Sequence, residues 1–191
     1  MLHLTHDTPQ AWVDVALADF DAFLQDHAAN ERKASVSALR LAVHHHDIPA
    51  LVDATIDVAR EELDHFRQVY DLIVSRGGEL GQDAPDPYMT RLHGAMRRER
   101  KSEFLLDRLL VFSLIEARGC ERFGMLAEAL AAGPIRDFYA ELTRTEARHR
   151  GLFTRLARDL FDAAAVRQRI DTLVAIEAEI SAALPLRPSL H

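Results

Sequence analysis

Apolar residues recur along this chain at steps of three and four, and no segment alternates polar and apolar positions as a strand would. Phe20, Phe23, Leu24, His27, Glu31, Ala34, Ala38 and Leu41 fall on one face of a long helix ending near His44–His46. Asp47-Ile48-Pro49 opens a second, which runs to about Arg76 and stops at Gly77-Gly78; proline suits a first helical turn and glycine an end. Residues 77–87, with three Gly and two Pro, read as the clearest loop. A short basic helix is predicted over 88–100. A third long helix then runs from Ser102 to Gly133-Pro134, and a fourth from Pro134 to Phe161. Thr8-Pro9 reads as cap and first residue of a short helix reaching Leu17. A last amphipathic helix covers about 165–182, and the tail LPLRPSLH is irregular.

The longest connection, residues 77–101, lies between the second and third long helices. This predicts an all-α, ferritin-like four-helix bundle: two hairpins joined by a middle crossover, with additional short helices at both ends. A chain of 191 residues fits one domain, with its core at about 18–162.

The apolar faces of the long helices are interrupted by charge. Glu31 is in step with Phe23, Leu24 and Ala38, and Glu62 with Thr55, Ala59, Phe66 and Val69. Glu116 shares a face with Leu105, Leu109, Phe112, Cys120 and Phe123, and Glu146 with Tyr139, Leu142 and Phe153. His65 and His149 follow Glu62 and Glu146 by three residues, one turn on along the same face. The halves repeat: Glu31 to Glu116 is 85 residues, and Glu62 to Glu146 and His65 to His149 are 84. Each half thus donates one Glu and one Glu-x-x-His pair. Four carboxylates in an apolar core would cost several kcal/mol per unpaired ion. Two divalent cations would nearly neutralise them, and carboxylate with imidazole suits iron or manganese.

Composition narrows the partners. The net charge of −7 argues against a generally basic nucleic-acid protein. Cys120 is the single cysteine, so no intrachain disulfide, cysteine metal knuckle or rubredoxin-like centre can form within the chain. No apolar run approaches the ~20 residues of a membrane span, and a soluble, cytoplasmic protein without membrane or DNA partners is expected. The densest basic stretch, RLHGAMRRERK (91–101), holds Arg91, Arg97, Arg98, Arg100 and Lys101 against Glu99 alone. Two readings stay open for it: contact with RNA phosphates, or a solvated helix face. Arg144, Arg148, Arg150, Arg155 and Arg158 are expected to spread around a helix exterior, and Glu121 and Glu141 to form surface ion pairs. His27 reads as a satisfied core histidine before a partner of Glu31, and Cys120 as a small buried hydrophobe before a pocket-lining residue.

The stretches DHAANERKAS (26–35), DVAREELDHFRQV (57–69), RGGEL with DPY (76–88), LLDRLLVFSLIEARGCERF (105–123) and FYAELTRTEARHRGLF (138–153) resemble the tRNA 2-methylthio-isopentenyladenosine hydroxylases, ferritin-like di-iron monooxygenases. Gly119 stands where the family pattern leads one to expect Ser, and Asn30 where it more often shows Cys. The resemblance implies metal ligands at Glu31, Glu62, His65, Glu116, Glu146 and His149, and a cofactor of two iron ions. It also implies dioxygen as co-substrate, tRNA as substrate, and hydroxylation of the isopentenyl side chain beside the anticodon. The two electrons required would come from an external donor, a reductase or ferredoxin. The alternative is a ferroxidase or another ferritin-like di-iron oxidase without a tRNA substrate.

Overall fold

The computed structural model describes residues 2–191, and its regular structure among them is helical throughout. In chain order the helices are α1 (Ala11–Ala18), α2 (Phe20–His44), α3 (Pro49–Ser75), α4 (Pro87–Gly94), α5 (Lys101–Ala129), α6 (Pro134–Leu160) and α7 (Ala163–Ala183). They group into two compact units: Asp14–Pro85 with Arg187–Leu190, and Met1–Val13 with Asp86–Leu186 and His191.

The first unit is a hairpin of α2 on α3. Asp19 caps α2 by accepting from Ala22 N–H at 3.1 Å, and Pro49 starts α3. Gly77, at φ 81°, takes the left-handed turn that ends α3. The loop beyond α3 is pinned to α2 through one amide. Gln25 Nε2 donates to the Glu79 carbonyl at 2.9 Å, and Gln25 Oε1 accepts from Gly81 N–H at 2.8 Å. The tail segment joins this unit where Leu190 N–H donates to Asp26 Oδ2 at 2.7 Å.

The second unit packs α5 against α6, with α7 lying on both and α4 on α7. Its core holds a charged network. Arg118, fully buried, donates to both oxygens of the equally buried Glu177 at 2.8 and 3.0 Å, and to Thr8 Oγ1 at 3.0 Å. Tyr88 donates to Glu177 at 3.0 Å, and its ring stacks on His191 at 4.9 Å. Arg122 lies over the Trp12 ring at 5.0 Å, and burial pulls its guanidinium down to about 10. Breaking one partner of such a buried pair costs about 3–5 kcal/mol, because the other charge is stranded.

Two boundaries and one ion pair differ from expectation. Thr8 does not cap α1: its N–H and hydroxyl both donate to Glu121, at 2.9 and 2.6 Å, and the helix begins at Ala11. Glu121 is accordingly half-buried in the Arg118 network instead of sitting in a surface pair. The basic helix expected over 88–100 ends at Gly94, since the chain must turn for the Arg97 N–H and guanidinium to reach buried Asp107, both at 2.7 Å. Arg169 binds the same carboxylate from α7 at 2.6 Å.

Candidate metal centre

Each unit buries one Glu–Glu–His triad. In the first, α2 contributes Glu31 and α3 contributes Glu62 and His65, all buried, with one ligand atom of each within 4.8 Å of the others. His65 Nδ1 lies 3.3 Å from Glu62 Oε2 and 3.6 Å from Glu31 Oε2. In the second, α5 contributes Glu116 and α6 contributes Glu146 and His149, again buried with ligand atoms within 4.8 Å. Here His149 Nδ1 is 3.8 Å from Glu146 Oε2. All six residues predicted from the spacing fall on buried helix faces, and each triad converges.

A buried histidine supports the first triad. His27, one turn before Glu31, donates from Nε2 to Glu31 Oε1 at 2.7 Å. It is a ligand-orienting partner, the reading the sequence set second to a satisfied core histidine; the i, i+4 spacing from Glu31 carries the signal. Burial alone would raise the Glu31 carboxyl, but hydrogen bonds from His27 and His65 outweigh it and hold the group at about 2. Burial would lower His65, and the carboxylates of Glu31 and Glu62 overcome that too, lifting the imidazole to about 11. The metal-free triad therefore keeps a proton on His65 as its counter-charge. A cation bound there would displace that proton and take over its role.

Both hairpins are fastened beside the ligands at equivalent positions. Four residues after Glu31, Ser35 Oγ donates to the Ala59 carbonyl at 2.7 Å. Four residues after Glu116, Cys120 Sγ donates to the Thr143 carbonyl at 3.4 Å. Ala59 and Thr143 each precede the Glu of their Glu-x-x-His pair by three residues. Burial raises the Cys120 thiol, which marks a structural sulfur and not a nucleophile. Gly119 has room for more: a Cβ there would meet Phe123 at 3.8 Å and Glu146 at 3.9 Å, ordinary contacts that a serine could make.

The donor set fits a pair of divalent ions. Four carboxylates offer hard oxygen ligands and four negative charges, and two imidazoles complete the set favoured by iron or manganese.

The family model described as tRNA-(MS[2]IO[6]A)-hydroxylase (MiaE) matches residues 1–191. The chain belongs to this family. A MiaE-family relative from Pseudomonas putida, the "tRNA 2-(methylsulfanyl)-N(6)-isopentenyladenosine(37) hydroxylase", is 35% identical over 173 residues, 91% of this chain and 83% of the relative. The Salmonella typhimurium protein of the same name is 32% identical over 130 residues, 68% of this chain and 47% of that protein. Among solved structures, "Protein 43 with aldehyde deformylating oxygenase activity from Synechococcus" superposes with a TM-score of 0.90 at 35% identity, covering 97% of this chain and 92% of its own. The fold of this MiaE-family chain is thus ferritin-like and all-α, as the helix pattern predicts.

The basic residues predicted to meet tRNA have separate fates. Arg91, Arg98, Arg100 and Lys101 are exposed. Arg98 donates to the His93 carbonyl at 3.1 Å and lies over Phe104. Arg97 is half-buried and held by Asp107, so it braces the crossover. No helix among the described residues is long and apolar enough to cross a membrane.

Proposed function

We propose that this protein is an oxygen-dependent di-iron monooxygenase that hydroxylates the isopentenyl side chain of 2-methylthio-isopentenyladenosine beside the tRNA anticodon. One observation carries the reading: two buried Glu–Glu–His triads, at matched positions, in a chain of the MiaE family. The two units act as one domain. Glu31, Glu62 and His65 together with Glu116, Glu146 and His149 would hold two iron ions. Bound there, iron would supply the dioxygen chemistry that oxidises an allylic C–H bond, which no side chain can do.

The chain's own residues prepare that site. The hydrogen bond between His27 Nε2 and Glu31 Oε1 fixes this carboxylate oxygen, so the group meets a cation in one orientation. Phe23, Val69, Phe123 and Phe153 share the helix faces of the ligands and are buried, so those faces are apolar to either side of the carboxylates. The reaction balances as R–H + O2 + 2 e⁻ + 2 H⁺ → R–OH + H2O. With one cysteine, the chain holds no iron–sulfur centre to deliver the electrons, so a separate reductase or ferredoxin supplies them. Exposed Arg91, Arg100 and Lys101 would meet tRNA phosphates, in the cytoplasm where mature tRNA is found.

A second reading rests on the 35% identity, over 97% of the chain, with the Synechococcus oxygenase: a substrate that is an aldehyde and not a nucleoside. One assay separates the two. Iron-loaded protein is given hypomodified tRNA, dioxygen and a reductant, and the tRNA is digested to nucleosides for mass spectrometry. The expected product is one nucleoside heavier by one oxygen atom, absent with Glu116→Ala. Unchanged nucleosides, with an aldehyde consumed in a parallel reaction, would sink the tRNA reading.

A further inference from the structure

The sequence leaves the arginines of α6 scattered around a helix exterior, but the structure gathers three of them. Arg150, Arg155 and Arg158 line a groove of about 340 Å³ along α6, with Gly151 and Thr154 between them and Asp159 as the one acid. This volume falls within the ~300–1,000 Å³ range of ligand sites.

Two features mark the groove. The first is charge without partners. The chain carries 30 acidic residues against 23 basic ones, and several of its other arginines are committed: Arg32 to Asp83, Arg67 to Asp71, Arg97 and Arg169 to Asp107, Arg118 to Glu177, Arg144 to Glu141. Arg150, Arg155 and Arg158 make no ion pair among the described residues, with Asp159 or any other acid. The second is Gly151. A glycine inside a helix weakens it, and a Cβ at this position would meet nothing within 4 Å. The floor of the groove is left bare where a side chain would fit, which lets a ligand approach the helix backbone.

We propose that this groove binds phosphates of the RNA substrate and positions the anticodon loop for the metal centre; the proposal rests on the tRNA reading above. Guanidinium groups take phosphate oxygens in bidentate pairs, and unpaired ones need no internal bond broken first. The position also fits. Arg150 directly follows His149 and is turned by about 40° from Glu146 around the helix, while Arg155 and Arg158 lie about 13 and 18 Å from Glu146 along its axis. The groove therefore starts at the ligand-bearing turn and leads away from it on the exposed flank. Thr154 and Ser113 steady this turn by donating to the Arg150 carbonyl at 3.0 and 2.9 Å.

The test titrates labelled tRNA against the full-length, iron-loaded protein by fluorescence anisotropy at several salt concentrations. Arg155→Glu/Arg158→Glu is expected to weaken binding at least tenfold. It should also reduce the slope of log affinity against log salt by about 1.4–1.8, the share of two phosphate contacts. Gly151→Leu fills the groove without changing charge and is expected to weaken binding severalfold. Arg67→Glu, on the exposed face of α3, serves as the charge control and should bind as wild type does. Iron content and thermal melting are read on every variant; both exposed arginines lack partners, so both readouts should hold. In turnover, the groove variants should raise KM for tRNA and spare kcat. Wild-type affinity and salt slope in both groove variants would overturn the proposal while leaving hydroxylation intact. A wild-type protein that binds tRNA through this groove but adds no oxygen would instead overturn the tRNA-hydroxylase reading.

Discussion

The α2–α3 and α5–α6 hairpins carry the same ligand pattern on unlike supports. In the first, the residue one turn before the leading glutamate is His27, bonded to Glu31 at 2.7 Å. In the second, the matching residue, 85 positions later, is Phe112, whose ring stacks on Phe153 at 4.8 Å. The fastening bond beside the ligands is a serine hydroxyl in one hairpin and a thiol in the other. What the two halves preserve is the set of groups a cation would touch and the points where the helices are joined. What they do not preserve is the residue one turn before the leading glutamate: a histidine bonded to the carboxylate in one, an aromatic ring stacked on Phe153 in the other. The first triad thus depends on a hydrogen bond from its neighbour, and an aromatic pair makes the second sensitive to volume.

Removing a ligand should erase the difference. Glu62→Ala and Glu146→Ala are each expected to abolish stoichiometric iron binding and lower turnover by roughly 100-fold or more, beyond the loss seen for outer partners of a metal site. Elemental analysis and the nucleoside assay check this. If only one hairpin's ligand mattered, the site would be mononuclear.

The supports should separate the halves. His27→Phe copies the second hairpin into the first and is expected to cost about 10–100-fold in affinity at one of two metal sites, with little change in melting temperature. Phe112→Ala should do the opposite. It opens a core cavity worth about 3–5 kcal/mol in chemical denaturation while leaving metal stoichiometry at two per folded chain.

Protons should act on the first hairpin. The stabilisation from Glu31 in metal-free protein is fully present above its unfolded value of 4.5 and is lost as pH falls through about 2. That from His65 is fully present below its unfolded value of 6.5 and is lost as pH rises through about 11. Urea denaturation of metal-free protein should therefore show a plateau between these unfolded values, with the alkaline decline reduced in His65→Ala. Because a metal must displace the His65 proton, cobalt affinity should rise with pH by about tenfold per unit below that folded value. A pH-independent affinity would mean that His65 is not a ligand.

The smallest effect is expected at the fastening bonds. Cys120→Ser should change stability by less than about 0.5 kcal/mol, since Ser35 makes the same contact in the other hairpin. Ser35→Ala, which strands the buried hydroxyl's site, should cost about 1 kcal/mol.

The helices and the ligands were legible because both are written in local spacing. Glu31, Glu62, Glu116 and Glu146 interrupt apolar stripes, and a buried carboxylate on a helix is informative wherever the partner lies. Arg97 was misread because nothing local announces Asp107, ten residues on and fully buried, whose bonds bend the chain out of a helix. The same holds for Thr8, whose hydroxyl would cap a helix in isolation but is claimed by Glu121 from 113 residues away. Periodicity reports which face a residue occupies. It does not report which distant charge competes for a cap, nor which of the six arginines on α6 open onto one groove.

The bonds of Ser35 and Cys120 bear on how such a chain tolerates length change. Their spans differ by one residue, 24 in the first hairpin and 23 in the second, and the difference lies between the bond and the turn: Pro49 to Ala59 against Pro134 to Thr143. On the other side, the four- and three-residue steps to the ligands are identical. Packed helices can in principle slip by a turn, about 5.4 Å, and still interdigitate. A fixed point beside the ligands sets their alignment from within, so the turns at 45–48 and 130–133 become places where insertion or circular permutation leaves the six ligands in register.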